Sequence, residues 1–484
     1  MYSQGDCSAL HVFLSDESYC IGSDPAQFSY LNIEKIIKTA KKAEAEAIYP
    51  GYGFLSQNAE FVKQCEENGI VFIGPPSRVH LLVGNKVNAK RCAEDVGIPV
   101  LPGSPPIDSV EKVVEEADKL GYPVIIKPVL GGGGIGLRIC KNREDVVDSF
   151  QGASRLANGA FARSEIYLEK CVEKPRHIEV QILADSKFNV IHLGERECTV
   201  QRRFQKLVEE APSPIIDEKT RENIGYAAIR LARYTGYVNA GTIEFLYSPL
   251  NDRLYFLEVN SRVQVEHPTT EAITGIDIVK EQIRIAAGES LPYDQEDIHF
   301  HGHAIECRIY AENPAIDFTP SPGTIAAYIE PGGPGIRIDS CVYPGYSLSP
   351  FYDPLIAKLI SWGRTRSEAI DRARRALDEF IIGGVDTNKS LYQAIFNDKV
   401  FLEGELNTSF IKDRCIVKHA ARLKSQERKW TVSNMPQALV NVKVEIDGKI
   451  FTVTSVNPYL AKQTSFIHQK ARPWSLAGRL EAMS

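Results

Sequence analysis

The run Glu258-Val-Asn-Ser-Arg-Val-Gln-Val-Glu-His-Pro268 has a charged or amide side chain at every second position up to Glu266, with three valines and a serine between them. Successive side chains of an extended chain point to opposite sides, so this period predicts a strand with five polar side chains in one row. These side chains are Glu258, Asn260, Arg262, Gln264 and Glu266. The alternative interpretation is an edge strand with a solvated face. The mixture of acids, amides and one arginine instead favours a binding row in which the arginine clamps an anion.

A second acidic strand is predicted just upstream of this run. The segments Gly241–Leu246 and Arg253–Glu258 flank the turn-rich stretch Ser248–Asp252, a pattern that predicts a β-hairpin. The hairpin brings Glu244 beside Glu258. Two carboxylates and the amide oxygen of the neighbouring asparagine suit a hard cation such as Mg²⁺, which completes its shell with water and nucleotide phosphates.

Composition limits the classes of protein that this chain can belong to. Its 484 residues are 43% hydrophobic and 24% charged, which indicates a globular protein of roughly two to four domains. The net charge of -6 argues against nucleic acid or an anionic membrane as the main partner. The ten cysteines include no CxxC pair, which favours reduced thiols in a cytoplasmic protein. No apolar run approaches the ~18 residues of a membrane span.

A glycine run at Gly131–Gly136 formally fits the dinucleotide pattern GxGxxG. That pattern requires a following helix, whereas here strand-like residues precede and follow the glycines. The context therefore predicts a hairpin lid whose backbone amides close over phosphates, with Lys127 adding a positive charge. A glycine-rich surface hairpin without a ligand is the alternative.

Five groups of motifs together resemble the biotin carboxylase component of biotin-dependent carboxylases, an ATP-grasp family. The resemblance covers Met1 to about Asp413. The motifs are Tyr49–Asn58, Ile125–Pro128 with Gly131–Gly136, Lys174–Glu179, Cys198–Lys206 with Glu209–Pro212, and Glu258–Pro268. Two positions depart from many members: Ile135 replaces an arginine in the lid, and Phe204 replaces a histidine or asparagine near the nucleotide.

The resemblance implies an α/β and α+β architecture with an ATP-grasp fold and a C-terminal biotin carboxylase domain. The expected boundaries are a truncated Rossmann-like (pre-ATP-grasp) domain at 1–73, a linker at 74–100, the ATP-grasp lid at 101–171, the central and C-terminal domain at 172–413, and an extension at 414–484. This extension is expected to be a remnant of a carrier region or a contact to it. Met1 aligns inside the second strand of the family, so the first βα unit is expected to be missing and a sheet edge to be bare.

The implied activity is that of an ATP-dependent ligase that carboxylates biotin with bicarbonate through carboxyphosphate. The expected cofactors are ATP and Mg²⁺ or Mn²⁺, and biotin is expected to arrive on a separate biotin carboxyl carrier protein, since the chain has no Ala-Met-Lys-Met site. A carboxyltransferase subunit completes the expected partners, in a homodimer or larger hetero-oligomer. An acetyl-CoA or propionyl-CoA carboxylase is favoured. The alternatives are the A subunit of pyruvate carboxylase, an inactive scaffold or truncated paralogue, and an amino-acid or carbamoyl ligase of the same fold.

The resemblance also assigns roles to single residues. The metal ligands are Glu244, Glu258 and Asn260. The ATP-binding residues are Lys86, Lys127, Gly132, Gly133, Gly134, Glu169, Lys170, His177, Gln201 and Leu246. Bicarbonate is assigned to Lys206, Arg262, Gln264, Val265 and Glu266, and biotin to Tyr52, Gly53 and Arg308. The catalytic residues are Glu266 as the base, Arg308 as the group that stabilises the biotin enolate, Lys206 and Arg262. A carboxylate beside an anion in a partly closed site is expected to have a raised pKa, which suits Glu266 as the base.

Overall fold

The computed structural model of the chain describes residues 1–128, 137–150, 152, 166–426, 440–446 and 449–455. The predicted glycine lid, with Gly132, Gly133, Gly134 and Ile135, lies outside these residues, so its role stays a prediction.

The helices are α1 (Leu10–Leu14), α2 (Ile33–Lys42), α3 (Ala59–Glu67), α4 (Ser77–Gly84), α5 (Lys86–Asp95), α6 (Val110–Leu120), α7 (Glu218–Thr235), α8 (His267–Thr274), α9 (Ile278–Ala286), α10 (Arg366–Glu379), α11 (Lys389–Phe396), α12 (Lys399–Glu403), α13 (Phe410–Asp413) and α14 (Ile416–Gln426). Residues 143–150 are also helical. None of the helices in the described ranges has the length and apolar character needed to cross a lipid bilayer.

The strands are β1 (Tyr2–Ser3), β2 (Cys20–Gly22), β3 (Ala47–Ile48), β4 (Val71–Phe72), β5 (Val124–Pro128), β6 (Arg138–Cys140), β7 (Ile166–Lys170), β8 (Arg176–Ala184), β9 (Val190–Arg202), β10 (Gln205–Ala211), β11 (Asn239–Ser248), β12 (Arg253–Asn260), β13 (His303–Tyr310), β14 (Glu312–Asn313), β15 (Thr319–Pro320), β16 (Ala327–Ile329), β17 (Ile336–Ser340), β18 (Leu355–Gly363), β19 (Ile381–Gly383), β20 (Val440–Ile446) and β21 (Lys449–Ser455).

The N-terminal region has the predicted α/β packing, with β1 parallel to β2 and β3 parallel to β4. Its helices begin at asparagine caps: the Asn32 side chain accepts from the Lys35 N–H, and the Asn58 side chain accepts from the Phe61 N–H. Such caps satisfy backbone donors that a helix start leaves free. The apolar faces of α2 and α3 pack together in one core, in which Phe61 is 2% exposed.

An eight-stranded sheet in the order β12-β11-β8-β9-β10-β13-β18-β17 forms the centre of the molecule. Its paired strands are antiparallel. The helices α4, α5 and α7 cover one face near β8, β11 and β12, while α10, α11, α13 and α14 enclose a second core with β13 and β18. A three-stranded sheet, β6-β5-β7, packs with α6 as a separate layer.

The predicted hairpin is confirmed. Strands β11 and β12 pair antiparallel on either side of the turn, and Glu244 lies directly opposite Glu258. The prediction of a single strand over Glu258–Pro268 is wrong, however, because β12 ends at Asn260 and α8 begins at His267. The chain turns where the Gln264 carbonyl accepts from the His267 N–H at 3.3 Å, and a proline near the helix start favours this helix.

Candidate active site

A cavity of about 860 Å³ lies between the three-stranded sheet and the β8–β12 part of the main sheet. Most of the residues that the sequence assigns to ligands line it. They are Lys86, Lys127, Glu169, Lys170, His177, Gln201, Lys206, Glu244, Leu246, Glu258, Asn260, Arg262, Gln264, Val265, Glu266 and Arg308. The structure therefore brings together side chains that are far apart in sequence, although their individual roles remain predictions.

The five polar residues of the alternating run all line this cavity even though they do not form one strand. Glu258 and Asn260 reach it from the end of β12, and the other three reach it from the loop and the turn before α8. The loop is held from behind because Val263 is 1% exposed and the Ser261 hydroxyl lies 2.8 Å from His80 Nδ1. The five side chains thus share one cavity, as predicted, but a strand end and a loop bring them there and not a single strand.

Lys206 contacts both the predicted metal ligand Glu244 and the predicted base Glu266. Its Nζ lies 2.9 Å from a Glu244 oxygen and 2.7 Å from a Glu266 oxygen, and it also contacts Glu179. Burial alone would lower the pKa of Lys206, but the three carboxylates outweigh burial and raise it well above its ordinary value. Lys206 is therefore a permanent cation in the cavity wall.

Arg196 holds the floor of the site in place and is 0% exposed. Its Nε donates to Glu179 at 2.5 Å, and its other nitrogens donate to the side chains of Gln181, Thr270, Thr242 and Gln264. All five guanidinium donors are thereby used. Because Gln264 Oε1 accepts from Arg196 at 2.7 Å, its amide nitrogen is free to donate to Glu244 at 2.8 Å.

The three predicted metal ligands lie together at the other end of this network. Glu244 and Glu258 are cross-strand neighbours, and the Asn260 amide donates to Glu244 Oε1 at 2.8 Å. Burial would raise the pKa of Glu244, but Lys206 and His177 hold it well below its ordinary value. Carboxylate and amide oxygens on one wall of this cavity fit Mg²⁺ or Mn²⁺.

A second set of potential ligand atoms is already engaged by a cation. Atoms of His177, Glu179 and Glu244 lie within 4.8 Å of one another. Two of these three residues contact the Lys206 ammonium, and the third places its Nε2 2.8 Å from Glu244 Oε2. The set of Glu244, Glu258 and Asn260 shares Glu244 with this one, and Lys86 lies beside its Glu258, so a metal ion at either set would replace a lysine ammonium.

The two lysines assigned to nucleotide phosphates are each held by a carboxylate. Lys86 Nζ lies 3.4 Å from Glu258, and Lys127 forms an ion pair with Glu169 that Lys90 shares. Burial would raise the pKa of Glu169, but Lys127 and Lys90 lower it to about 2. Lys170 uses its ammonium differently, donating to the carbonyls of Gly121 and Tyr122 at 2.8 and 3.1 Å.

Glu266 lies between two cations. Its Oε1 is 2.7 Å from Lys206 Nζ, and its Oε2 accepts from Arg308 at 2.9 Å. Burial would raise its pKa, but these charges and that of Arg196 hold the pKa well below the ordinary value. The expectation of a raised pKa for Glu266 is therefore wrong, because two nearby cations outweigh burial.

Of the three residues that the resemblance assigns to biotin, one lines the cavity and two do not. Arg308 lines the cavity and is 8% exposed, whereas Tyr52 and Gly53 are not among the lining residues. The Tyr52 ring nevertheless lies 5.7 Å from Lys358 Nζ, close to Arg308. Gly53 is exposed, and no neighbouring atom lies within 4 Å of the position that a Cβ would take.

Several buried charged residues at this end of the site were not predicted from the sequence. They are Glu179, Arg196, Glu209, Glu306 and Lys358. Two of them, Glu179 and Glu209, belong to motifs that carry the family resemblance. A usable signal was present in β8, where His177, Glu179 and Gln181 alternate in the same way as the row in Glu258–Pro268.

Comparison with known proteins identifies the family. The profile of the biotin carboxylase N-terminal domain matches residues 1–80, that of the carbamoyl-phosphate synthase L chain ATP binding domain matches 85–294, and that of the biotin carboxylase C-terminal domain matches 306–413. The chain belongs to the biotin carboxylase family. The predicted recognition, the ATP-grasp fold and the class of ATP-dependent ligase are confirmed.

Relatives of this biotin carboxylase come from several enzymes. The chain is 50% identical over 414 residues to the A subunit of pyruvate carboxylase from Methanothermobacter thermautotrophicus, covering 85% of this chain and 84% of that protein. It is 48% identical over 413 residues to biotin carboxylase 1 of Bacillus subtilis, covering 85% and 92%. A crystal structure of the biotin carboxylase domain of Hydrogenobacter thermophilus 2-oxoglutarate carboxylase, in complex with MgADP, ADP and bicarbonate, superposes with a TM-score of 0.84 at 48% identity, covering 86% and 92%.

Proposed function

We propose that this biotin carboxylase carboxylates biotin on a separate carrier protein, using ATP and bicarbonate, as a subunit of an acetyl-CoA or propionyl-CoA carboxylase. The observation that carries the proposed chemistry is the position of Lys206. Its ammonium lies 2.9 Å from Glu244, one of the three predicted metal ligands, and 2.7 Å from Glu266, which also contacts Arg308. A single ammonium thus lies between the residues that would hold the metal and phosphates and the residues that would hold a small anion.

The phosphate end of the cavity supports phosphoryl transfer by position and charge. Glu244, Glu258 and Asn260 would hold Mg²⁺, which when bound neutralises phosphate charge. Lys86 and Lys127 would exchange their carboxylate partners for phosphate oxygens of ATP. Because both lysines already lie in the cavity wall, binding needs a change of partner rather than a large movement.

The anion end supports bicarbonate activation. Lys206 and Arg262 would hold bicarbonate, and Gln264 and Val265 would orient it. Glu266 would accept its proton, since a carboxylate with a low pKa is ionised at neutral pH. A bicarbonate anion between Lys206 and Glu266 would take up part of the lysine charge. The pKa of Glu266 would then rise, and Glu266 would be a stronger base.

The biotin end has a donor aimed at the cavity. Arg308 is a permanent cation, because its acidic neighbours Glu209 and Glu266 outweigh burial and raise its pKa well above the ordinary value. A fixed guanidinium stabilises negative charge that develops on the ureido oxygen when biotin loses a proton. Tyr52 and Gly53 would contact the biotin ring from the N-terminal region.

The partners proposed are a biotin carboxyl carrier protein and a carboxyltransferase subunit, within a cytoplasmic homodimer or larger hetero-oligomer. A second candidate is the A subunit of pyruvate carboxylase, favoured by the 50% identity to the Methanothermobacter protein of that name. The carboxyltransferase selects the acceptor, so both candidates use the same half-reaction.

The test measures ADP release by the purified chain with ATP, Mg²⁺, bicarbonate and free biotin. We expect release that depends on biotin and bicarbonate and disappears in Glu266→Gln. Folded protein without such release would instead favour the scaffold hypothesis, and release that depends on an amine would favour the other ligase hypothesis. Adding carrier and carboxyltransferase, and then comparing acetyl-CoA, propionyl-CoA and pyruvate as acceptors, distinguishes the two enzyme assignments.

A further inference from the structure

Two glutamates face each other across neighbouring strands beneath the biotin end of the cavity. Glu209 on β10 is the direct antiparallel partner of Glu306 on β13, and both are 0% exposed. Side chains at directly opposed positions have Cβ atoms about 4.5–5.5 Å apart, and like charges at such positions repel. Two ionised carboxylates would therefore be costly here unless each had its own cation.

The cations at this site do not supply one counter-ion for each carboxylate. Arg308 serves two: its Nε lies 2.7 Å from Glu209, and its terminal nitrogen donates to Glu266 at 2.9 Å. Within the described ranges, no carboxyl oxygen of Glu209 or Glu306 has a hydrogen-bond partner, so the two groups differ in that Glu209 has an ion pair with Arg308 and Glu306 has none. Lys358 lowers the pKa of Glu306, but its ammonium donates to the Val265 carbonyl at 3.0 Å and lies 3.3 Å from Asp339.

Burial makes the neutral form of one carboxyl favourable. An ionised carboxylate without a partner in an apolar interior is so costly that the group takes up a proton instead. Burial and the charge of Glu209 raise the pKa of Glu306 well above its ordinary value, against the effect of Lys358. Burial also raises the pKa of Glu209, to about 7, although Arg308 opposes the rise.

We propose that Glu306 holds a proton at neutral pH, and that the Glu209–Glu306 pair positions Arg308 between Glu209 and Glu266. If both members of the pair were ionised, they would draw the guanidinium away from Glu266 and from the cavity. With Glu306 neutral, the Arg308 guanidinium is shared by two carboxylates, that of Glu209 in the sheet and that of Glu266 in the cavity. Glu209 is then a positioning residue, and Glu306 determines how strongly it acts.

Several charged or titratable groups surround the pair and contribute to its behaviour. They are Glu179 on β8, Lys206 on β10, Cys307 and Arg308 on β13, Lys358 on β18, Glu266 just before α8, and Tyr52. Among these cations, Lys206 is already shared by three other carboxylates. Lys206 therefore lowers the pKa of Glu209 but forms its ion pairs with carboxylates outside the pair.

Infrared spectroscopy of the full chain tests the protonation directly. At neutral pH we expect a carbonyl stretch of a protonated carboxyl group that is lost in Glu306→Gln. The matched control is Glu210→Gln, because Glu210 is the next residue of β10, is 1% exposed and pairs with Arg366 and His303. The control is expected to leave the band unchanged.

Four infrared outcomes would overturn the assignment. They are no protonated-carboxyl band in the wild type at neutral pH, a band unchanged in Glu306→Gln, a band lost in Glu210→Gln, and a band lost in Glu209→Gln but kept in Glu306→Gln. Failure of both neutral replacements, Glu306→Gln and Glu306→Met, to fold would also contradict a neutral side chain at this position.

The pH dependence of thermal stability gives an independent readout. The native state would keep a proton that the unfolded state releases above about pH 4.3, so the Glu306 side chain makes wild-type stability fall as pH rises. The Tm of Glu306→Gln should exceed that of the wild type by a margin that grows between pH 5 and pH 8. Parallel Tm curves would overturn the proposal.

The catalytic consequence rests on the proposed function and is measured separately. In biotin-dependent ADP release, Glu306→Gln should shift the alkaline limb of the kcat profile to higher pH. Glu209→Gln should lower kcat with little change in the KM for ATP, because Arg308 loses its ion pair with the Glu209 carboxylate. An unmoved alkaline limb would overturn the positioning role. If the wild type shows no biotin-dependent release, the infrared and Tm results still decide where the proton is.

Discussion

Glu266 shows how the surroundings of a residue determine its chemistry. The sequence suggests a base with a raised pKa, but Lys206 and Arg308 at 2.7 and 2.9 Å lower it. The carboxylate is ionised at neutral pH, and its basicity depends on how an anion redistributes those two cations.

The base role predicts a separation of binding from turnover. Glu266→Gln should lower biotin-dependent ADP release at least about 100-fold, within the range attributed to general base catalysis. Nucleotide binding should persist, because Glu266 does not contact Lys86 or Lys127 in the described structure. Isothermal titration with Mg²⁺ and a non-hydrolysable ATP analogue measures the binding. Turnover that survives the substitution would remove Glu266 from the base role.

A buried ion pair away from the cavity gives a pH-dependent stability prediction. Burial would raise the pKa of Glu210, but His303 and Arg366 lower it to about 2. A lowered pKa contributes stability above about pH 4.3, the unfolded value, and this contribution is lost as pH falls toward 2. Glu210→Gln should therefore cost on the order of 3 kcal/mol at pH 7, and less at pH 3.

Urea unfolding of Glu210→Gln at both pH values measures the difference. The control is Glu379→Gln, which removes an exposed partner of Arg375 at 2.6 Å and should change the free energy of unfolding by less than about 1 kcal/mol. An equal loss at pH 7 and pH 3 would contradict the assigned pKa.

At the scale of elements, α7 shows how closely helices pack on the main sheet. The helix is capped by Asp217, whose side chain accepts from the Thr220 N–H, and ends at Gly236 in the left-handed region. Between these ends, Gly225 faces the His192 ring, and a Cβ added there would lie 2.4 Å from Nε2. Only a glycine permits this approach of helix to sheet.

The same substitution should therefore have opposite effects in two helices. Gly225→Ala should destabilise the protein by about 1–3 kcal/mol, because overpacking exceeds the gain in helix propensity. Gly84→Ala in α4 meets no atom within 4 Å and should stabilise by about 0.5–1 kcal/mol. Thermal unfolding measures the change in stability of each variant. A stabilised Gly225→Ala would show that His192 moves aside at little cost in free energy.

At the scale of the whole molecule, the cavity joins the small three-stranded sheet to the main sheet. Lys127 and Glu169 belong to the small sheet, whereas Glu244 and Glu258 belong to the main one. A ligand that contacts both sheets should hold them together and stabilise the native state by linkage.

Nucleotide is expected to stabilise the native protein through this connection. Mg²⁺ with ATP at 100 times its Kd should add about 2.7 kcal/mol to the free energy of unfolding. Lys127→Met should reduce the associated rise in Tm, because a phosphate contact is lost. Lys112→Met, an exposed lysine of α6 paired with Asp108, is the matched control and should keep it. Equal Tm shifts in both variants would contradict the phosphate role of Lys127.

Local patterns in the sequence determined the β11–β12 hairpin and with it the pairing of Glu244 with Glu258. The hairpin follows from side-chain period and turn residues, which depend on neighbours close in sequence. Family resemblance supplied the rest of the predicted site. It identified the residues without showing their contacts.

Tertiary structure alone decided how the charges combine. The loop after Asn260 reaches the cavity without being a strand, and Lys206 meets carboxylates from three different segments. Glu209 meets Glu306 only because β10 pairs with β13 in the sheet. The protonation of such groups depends on burial and on partners distant in sequence, since low-dielectric surroundings strengthen both attraction and repulsion. No local pattern contains that information.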